Sequence, residues 1–237
     1  FIKRYVKSNF RNVPVINIPT ITEDMMTPVT NNVMPPAPPR LSISKVQLAE
    51  LPQLTFPTGG TISVIEHRTQ ALEALAWLSK QPIVGFDTET RPCFRKGKMN
   101  KPALIQISTA RRAFLFRINK LGMIPELREF LESEKVTKVG LSLKDDYNAL
   151  RRIEPKFAEA GYIDLQSYVR DFDIADSSLQ KIYGIIFQKR ISKNQRLSNW
   201  EADTLSEGQQ IYAAIDAWAS LNIYQHLQAG KVDPANC

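Results

Sequence analysis

Hydrophobic and polar positions divide the chain into parts of different character. Up to about residue 40, prolines recur, large apolar residues are few, and no period of 2 or 3.6 residues persists. From Leu41 onward the apolar positions become regular. We therefore predict a flexible, proline-rich extension over residues 1–40, one folded domain over residues 41–230, and a short tail over residues 231–237.

The first half of the folded part alternates between strand and helix patterns. Thr61–Glu66 alternates as a strand, Thr69–Lys80 has apolar residues three and four apart as in a helix, and Ile83–Asp87 is typical of a buried strand. The segments "ALIQIST" and "RAFLFRI" flank a short turn near Ala110-Arg111 and predict a β-hairpin. Further elements are predicted as helix, strand, helix and strand, at residues 124–131, 138–141, 143–153 and 161–165.

The last third of the chain has helical patterning. Two Ser-x-x-Gln patterns, Ser177 with Gln180 and Ser206 with Gln209, are typical of helix starts. The last helix is expected to run to about Gln228, because Gly230 favours a helix end. Hairpins are antiparallel and helical crossovers favour parallel neighbours, so the pattern predicts an α/β fold with a mixed central β-sheet flanked by α-helices.

Composition and charge narrow the function classes. The net charge of +7 suits a polyanionic partner such as nucleic acid. No apolar run approaches the roughly 20 residues that span a bilayer, so we expect a soluble protein without a membrane partner. The two cysteines cannot form a disulfide framework, and no Cys/His cluster has zinc-ligand spacing. A reducing intracellular compartment, with the cytoplasm as the default, is the expected location.

Two acids at a strand end are the first candidate site. Side chains alternate along a strand, so Asp87 and Glu89 in "VGFDTET" project from one face if the strand continues to Glu89. Adjacent carboxylates repel unless a cation lies between them. Taken alone, the pair is more simply interpreted as two solvated acids.

Two later segments each place an acid on an apolar helix face. In "GLSLKDDYNALRR", Asp146 shares a face with Leu143 and Leu150, whereas Asp145, the reserve candidate, points away. In the last helix, Tyr212 and Asp216 are four residues apart and lie one above the other. An ionised Asp on such a face needs a partner, which is either a paired arginine or a metal ion.

These motifs resemble the DEDD family of 3′–5′ exonucleases in its tyrosine-bearing branch. The matching stretches are "GFDTE", "RKGKMNKPALIQIS", "VGLSLKDDYNALRR" and "LSNWEADTLSEGQQIYAAIDAWASLNIY", which together span about residues 60–227. Within the family, the chain is more similar to the Werner-type exonucleases than to ribonuclease D. The resemblance implies a ribonuclease H-like fold and the removal of 5′-nucleoside monophosphates from a 3′ end.

The resemblance also implies the site residues. It transfers the family's catalytic positions to Asp87, Glu89, Asp146, Tyr212 and Asp216. The four acids would hold two divalent ions, Mg²⁺ or Mn²⁺, because such ions favour all-oxygen ligands. Asp87 would bridge both ions, Glu89 and Asp216 would hold the ion that activates water, and Asp146 would hold the other through water. Tyr212, whose ordinary pKa is near 10, would orient the water and not act as a base.

Basic residues near these motifs are candidates for phosphate contacts. The loop after Glu89 and the stretch before Trp200 contribute Arg95, Lys98, Lys101 and Arg196, although a run of basic residues is more often a solvated surface. DNA with a free 3′ end is the favoured partner, with a helicase acting in trans as a candidate partner. The alternatives are RNA trimming of the ribonuclease D kind, a non-catalytic nucleic-acid or protein-binding module, and a structural domain with paired buried acids.

Overall fold

The structure, a computed structural model, describes residues 40–95 and 99–230. The predicted extension over residues 1–40, apart from Arg40, and the predicted tail over residues 231–237 lie outside the described residues. Six strands form one sheet, which is flanked by helices on both faces. None of the helices in the described ranges is long and apolar enough to cross a membrane.

The sheet has the order β1-β4-β3-β2-β5-β6. Its strands are β1 (Thr61–Ile65), β2 (Ile83–Thr90), β3 (Pro102–Ser108), β4 (Arg112–Phe116), β5 (Thr137–Gly140) and β6 (Tyr162–Asp164). β3 runs antiparallel to β2 and β4, and the other neighbouring strands are parallel. The predicted mixed sheet and its β3–β4 hairpin are therefore confirmed.

The helices lie on both sides of this sheet. They are α1 (Lys45–Glu50), α2 (Arg68–Leu78), α3 (Ile118–Leu121), α4 (Pro125–Leu131), α5 (Leu143–Arg151), α6 (Leu165–Tyr168), α7 (Leu179–Phe187) and α8 (Glu207–Gln228), with a 3₁₀ helix at Val169–Phe172. α2, α4 and α5 cover the face that carries Val84 and Phe86. α7 and α8 pack on the opposite face.

Capping explains where several helices begin. Ser206 and Gln209 form the predicted reciprocal cap of α8, in which the Gln209 backbone N–H donates to Ser206 Oγ at 3.3 Å and the Ser206 backbone N–H donates to Gln209 Oε1 at 3.0 Å. The same pattern at Ser44 begins α1, which the sequence analysis missed. The Ser177 cap is wrong: α7 starts at Leu179, and Gln180 instead donates to the carbonyl of Ile191.

Close contact between α8 and β2 positions the candidate site. A Cβ atom on Gly85 would lie 1.8 Å from the carbonyl oxygen of Ala217, so only glycine permits this approach. α8 thereby brings Asp216 to the β2 face that carries Asp87. The loop before α8 is anchored by the fully buried Arg117, which pairs with Glu66 at 3.0 Å and donates to the Asp203 carbonyl at 3.0 Å.

Candidate active site

Three carboxylates from two elements meet at the end of β2. Asp87 and Glu89 lie two residues apart on β2, and Asp216 lies on α8. One carboxylate oxygen from each residue lies within 4.8 Å of the others. The expected projection of Asp87 and Glu89 from one face is confirmed, since both face α8.

A fourth carboxylate, Asp146, approaches the cluster from α5. It is buried, whereas Asp145 is exposed, as the helical-face argument predicted. The hydroxyl of Thr88 donates to Asp146 Oδ1 at 2.6 Å. The carboxylate of Asp164 accepts the backbone N–H groups of Ser142 and Leu143 at 2.9 and 3.1 Å, and thereby fixes the start of α5.

Tyr212 completes the set of predicted catalytic positions. Its hydroxyl interacts with the carboxylate of Asp216, one helical turn away on α8. Burial and the neighbouring carboxylates of Asp216 and Glu89 raise the pKa of Tyr212 above its usual range. The hydroxyl therefore remains protonated near neutral pH and can donate a hydrogen bond.

The carboxylates suppress one another's ionisation. Burial, together with the charges of Asp146, Asp216 and Glu89, raises the pKa of Asp87 well above its usual range. Burial and the charges of Asp216 and Asp146 raise the pKa of Glu89 to about 9. Burial is the main cause of the raised pKa values of Asp146 and Asp216, which are both about 7. A cluster of this kind favours binding of positive charge.

The donor set fits a hard divalent cation. It consists of carboxylate oxygens without sulfur or imidazole, which suits Mg²⁺ or Mn²⁺ better than Zn²⁺. The solvated-acid interpretation of Asp87 and Glu89 does not agree with the raised pKa values of these half-buried groups. Among the described residues no arginine forms an ion pair with Asp216, although the charge of Lys193 lowers the pKa of Asp216.

A cleft runs past the acids in two branches. The branches, of about 960 and 340 Å³, share Asp87, Leu141, Ser142 and Arg196. The larger branch is bordered by the loop after β2 and by α5. The smaller is bordered by the start of α7 and by residues 191–193. A nucleic-acid strand that passed through both branches would cross the acid cluster.

The predicted phosphate-binding residues fall into three groups. Arg196 lines both branches, and its charge lowers the pKa of Glu89 against the effect of burial. Arg95 and Lys101 are exposed on the loop after β2 and are not among the residues that line either branch. Lys98 lies outside the described residues. Nucleic-acid contacts by all four residues stay predictions.

Further basic residues near the site were not among the four predicted phosphate contacts. Lys193 lines the smaller branch, and its charge lowers the pKa of Asp216. Arg152 lines the larger branch and donates to the Asn100 carbonyl at 3.5 Å. Arg91 pairs with Glu201 at 3.2 Å and so links the loop after β2 to the loop before α8. The sequence shows the positive charge of these residues, but whether their side chains lie at the cleft depends on how the surrounding segments fold.

Fold and site together define a nuclease-type domain, and comparison with known proteins assigns its family. The family model described as "3'-5' exonuclease" matches residues 62–230. The chain therefore belongs to the 3′–5′ exonuclease family. The predicted family resemblance is confirmed.

Individual relatives agree with this assignment. The chain is 32% identical over 163 residues to the mouse bifunctional 3'-5' exonuclease/ATP-dependent helicase WRN, a match that covers 63% of this chain and 11% of the mouse protein. The chain thus corresponds to a small part of that relative. The predicted similarity to Werner-type exonucleases is confirmed.

Two solved structures support the fold. The EXO domain of Aedes aegypti Nibbler has a TM-score of 0.65 at 22% identity, covering 78% of this chain and 96% of that one. Escherichia coli RNase D, an exoribonuclease, has a TM-score of 0.64 at 19% identity, covering 71% of this chain and 44% of that one. The predicted ribonuclease H-like fold is confirmed.

Proposed function

We propose that this domain is an active 3′–5′ exonuclease that hydrolyses DNA from its 3′ end and releases 5′-nucleoside monophosphates. The observation that carries the proposal is the convergence of Asp87, Glu89 and Asp216, with Asp146 beside them, on a two-branched cleft. Family membership supports the same reaction. A module that only binds nucleic acid has no need of such a cluster.

The acids are proposed to hold two divalent ions, Mg²⁺ or Mn²⁺. Asp87, Glu89, Asp146 and Asp216 would be the ligands, and the raised pKa values of these groups support a site that binds cations. When bound, such ions make a water acidic and stabilise charge on the attacking and leaving oxygens of a phosphodiester. The rigid mount for these ligands is β2, a central strand whose Val84 and Phe86 are fully buried.

Tyr212 is proposed to orient the attacking water. Its raised pKa keeps the hydroxyl protonated, so Tyr212 cannot accept the water's proton as a base near neutral pH. The hydroxyl interacts with Asp216, which places it at the edge of the acid cluster. The hydroxyl has one proton, so donation to a water or to a phosphate oxygen beside the acids would replace its interaction with Asp216.

Cationic side chains in the cleft are proposed to hold the phosphates of the strand. Arg196 and Lys193 stand on the segment before α8 and reach towards Glu89 and Asp216, respectively. Arg95, Lys98 and Lys101 are proposed to extend this contact along the loop after β2. Because phosphate contacts carry no sequence information, we expect little sequence preference.

The substrate and partners follow the similarity to the Werner-type relative. That relative is named as both an exonuclease and a helicase, which supports DNA as the substrate and a helicase that acts in trans. RNA is the alternative substrate, supported by the shared fold with E. coli RNase D. A reducing compartment, with the cytoplasm as the simplest assignment, agrees with the exposed free thiol of Cys93.

Degradation of labelled substrates tests the proposal. We expect a 3′-to-5′ ladder from 5′-labelled single-stranded DNA and recessed-3′ duplex DNA in Mn²⁺, with slower cleavage of RNA of the same sequence. Asp87→Asn should abolish the ladder, and Asp145→Asn, on the exposed neighbour of Asp146, should not. Faster cleavage of RNA would choose the ribonuclease D-like alternative, and binding without cleavage of any substrate would favour the non-catalytic module.

A further inference from the structure

Gln106 is a fully buried polar residue next to the acid cluster. It lies on β3, and its register partner on the antiparallel strand β2 is Asp87. Register partners project from the same sheet face with Cβ atoms about 4.5–5.5 Å apart. Neither the amide oxygen nor the amide nitrogen of Gln106 has a hydrogen-bond partner among the described residues.

A buried amide without a hydrogen-bond partner destabilises a fold, so its presence here indicates a role. Buried polar groups in native proteins are nearly always hydrogen-bonded, because an unpaired group loses its hydration without compensation. Two apolar residues surround Gln106 on this sheet face: Leu104, two residues earlier on β3, and Leu115, its register partner on β4. Methionine would fill the same space without this cost.

Trp200 contributes a second unpaired group to the same region. Its side chain is fully buried, as expected for a packing residue, and belongs to the apolar cluster that contains Leu104, Leu115 and Tyr212. The Nε1–H group of Trp200 also lacks a partner among the described residues. Two unpaired polar side chains therefore border one apolar cluster beneath α8.

The hydrogen-bonding capacities of three neighbouring groups are complementary. Trp200 Nε1 is only a donor, the ionised carboxylate of Asp87 is only an acceptor, and the amide of Gln106 supplies one acceptor and one donor group. Neither bond is formed in the structure; when formed, they would have Gln106 accept from Trp200 through Oε1 and donate to Asp87 through Nε2. Bonds in this order would satisfy both unpaired side chains.

We propose that Gln106 is a positioning residue that connects Trp200 to Asp87 and fixes the orientation of the Asp87 carboxylate. The inference rests on the proposed function, in which Asp87 is a metal ligand. Residues that hydrogen-bond to metal ligands set the orientation of those ligands, and their loss typically lowers metal affinity or activity by about 10- to 100-fold. A hydrogen bond from Gln106 would also stabilise the negative charge of Asp87, which the charges of Asp146, Asp216 and Glu89 disfavour.

Substitution of Gln106 by methionine tests the inference. Gln106→Met keeps an unbranched side chain of similar length and removes both hydrogen-bonding groups. We expect the Mn²⁺ concentration that gives half-maximal thermal stabilisation to rise by about 10-fold or more, and kcat to fall with KM for DNA unchanged. The unfolding temperature in EDTA should fall modestly, because removal of the amide leaves the buried Nε1–H group of Trp200 without its acceptor.

Ser108→Ala is the matched control. Ser108 is also fully buried, lies on β3 and faces α8, but its hydroxyl donates to the carbonyl of Thr109 at 3.1 Å and its register partner is Gly85. Its substitution should leave the Mn²⁺ midpoint unchanged. A Mn²⁺ midpoint that shifted equally in both variants would overturn the inference, because it would reflect general loosening of β3.

Trp200→Phe tests the other end of the proposed connection. It removes the Nε1–H group but keeps an aromatic ring, and we expect a smaller rise in the Mn²⁺ midpoint, about 3-fold. Combined with Gln106→Met, it should add nothing further, because both changes break one connected network. Additive effects on the Mn²⁺ midpoint would contradict the connection. If Gln106→Met does not fold, Trp200→Phe alone must raise the midpoint for the inference to stand.

The wild-type chain separates this inference from the proposed function. If Mn²⁺ stabilises the wild-type chain but not Asp87→Asn, and Gln106→Met keeps the wild-type midpoint, the metal centre is correct and the inference about Gln106 is wrong. If Mn²⁺ does not stabilise the wild-type chain at all, the metal centre is contradicted and the inference fails with it.

Discussion

The hydroxyl of Thr88 donates a 2.6 Å hydrogen bond to the Oδ1 atom of Asp146 and thereby joins β2 to α5 at the acid cluster. Thr88 lies between Asp87 and Glu89 but projects from the opposite face of β2, where α5 packs. β2 thus carries Asp87 and Glu89 on one face and binds the carboxylate of Asp146 through Thr88 on the other face. The hydrogen bond also lowers the pKa of Asp146 against the effect of burial.

Removal of this hydroxyl should weaken the metal site. In Thr88→Val the shape is nearly kept, but Asp146 loses a donor, and its pKa should rise further, so protons compete more strongly with metal ions. We expect exonuclease activity at pH 7 and limiting Mn²⁺ to fall by about 10-fold. Thr88→Ser keeps the hydroxyl and should stay close to wild type. Equal activity of the valine and serine variants would contradict a role for the hydrogen bond.

The stability of the metal-free protein should decrease as pH rises. Folding raises the pKa of Glu89 to about 9 and those of Asp146 and Asp216 to about 7, from ordinary values near 4. The folded state therefore binds more protons than the unfolded state between about pH 4 and pH 9, and stability falls as pH rises through this window. Urea denaturation in EDTA at pH 5.5, 7.0 and 8.5 should show a decreasing free energy of unfolding.

Two controls isolate the acid cluster in that experiment. Asp216→Asn removes one charge and should flatten the decrease, and saturating Mn²⁺ should reverse it because metal binding requires deprotonated ligands. The net charge of +7 declines towards zero as pH rises to the pI of about 9.4, which on its own would increase stability. Because this net-charge effect is common to both proteins, the same change in the free energy of unfolding from pH 5.5 to 8.5 for wild type and Asp216→Asn in EDTA would contradict the assigned pKa shifts.

Substitution of Tyr212 by phenylalanine should slow the reaction without changing its pH dependence. The hydroxyl is protonated across the neutral range because its pKa is raised, so its loss removes a hydrogen-bond donor and not a base. We expect kcat to fall by about 100-fold, with little change in the Mn²⁺ requirement. The measurement is a kcat profile from pH 6 to 9 for both proteins. Loss of an ionisation from the profile of Tyr212→Phe would show that Tyr212 acts as a base.

Some of the site could be predicted from sequence periodicity, and some could not. The helical face that carries Leu143 and Leu150 identified Asp146 over Asp145, because burial follows the period of a single helix. Thr88 and Gln106 gave no such signal, since their importance depends on which element packs against each face of the sheet. Gln106 in particular looked like one polar residue in an apolar strand until its register placed it opposite Asp87.

The positions of side chains on the loops also could not be predicted from sequence periodicity. Charge alone indicated the basic stretch before Trp200, but not that Arg196 and Lys193 would border the acids. That position depends on contacts far apart in sequence, such as the bond from Gln180 to the Ile191 carbonyl, which holds the segment against α7. The same bond explains why Gln180 does not cap its own helix.

Arg196 should contribute to substrate binding through charge. Arg196→Ala removes a cation that lines both branches of the cleft, so DNA binding should weaken at every sequence. The slope of log K against log salt for single-stranded DNA should become shallower by about 0.7. Lys189→Ala is the matched control, because Lys189 belongs to the same basic stretch but is not among the residues that line either branch. Identical salt slopes for the two variants would exclude a specific contact by Arg196.

The approach of α8 to β2 should be the least tolerant feature of the fold. In Gly85→Ala the new Cβ atom would lie 1.8 Å from a backbone oxygen of Ala217, which cannot move without α8. We expect a loss of about 3 kcal/mol or more in the free energy of unfolding, with loss of activity because Asp216 moves with the helix.

Gly208→Ala, on the same helix, should have the opposite effect. Its Cβ atom would lie 3.3 Å from the side-chain nitrogen of Gln195, which can shift, and alanine gains up to about 1 kcal/mol in helix propensity over glycine. Urea denaturation and the DNA degradation assay should therefore separate the two variants. If Gly85→Ala kept wild-type stability and activity, α8 would not pack on β2 as described, and the meeting of Asp87 with Asp216 would need another explanation.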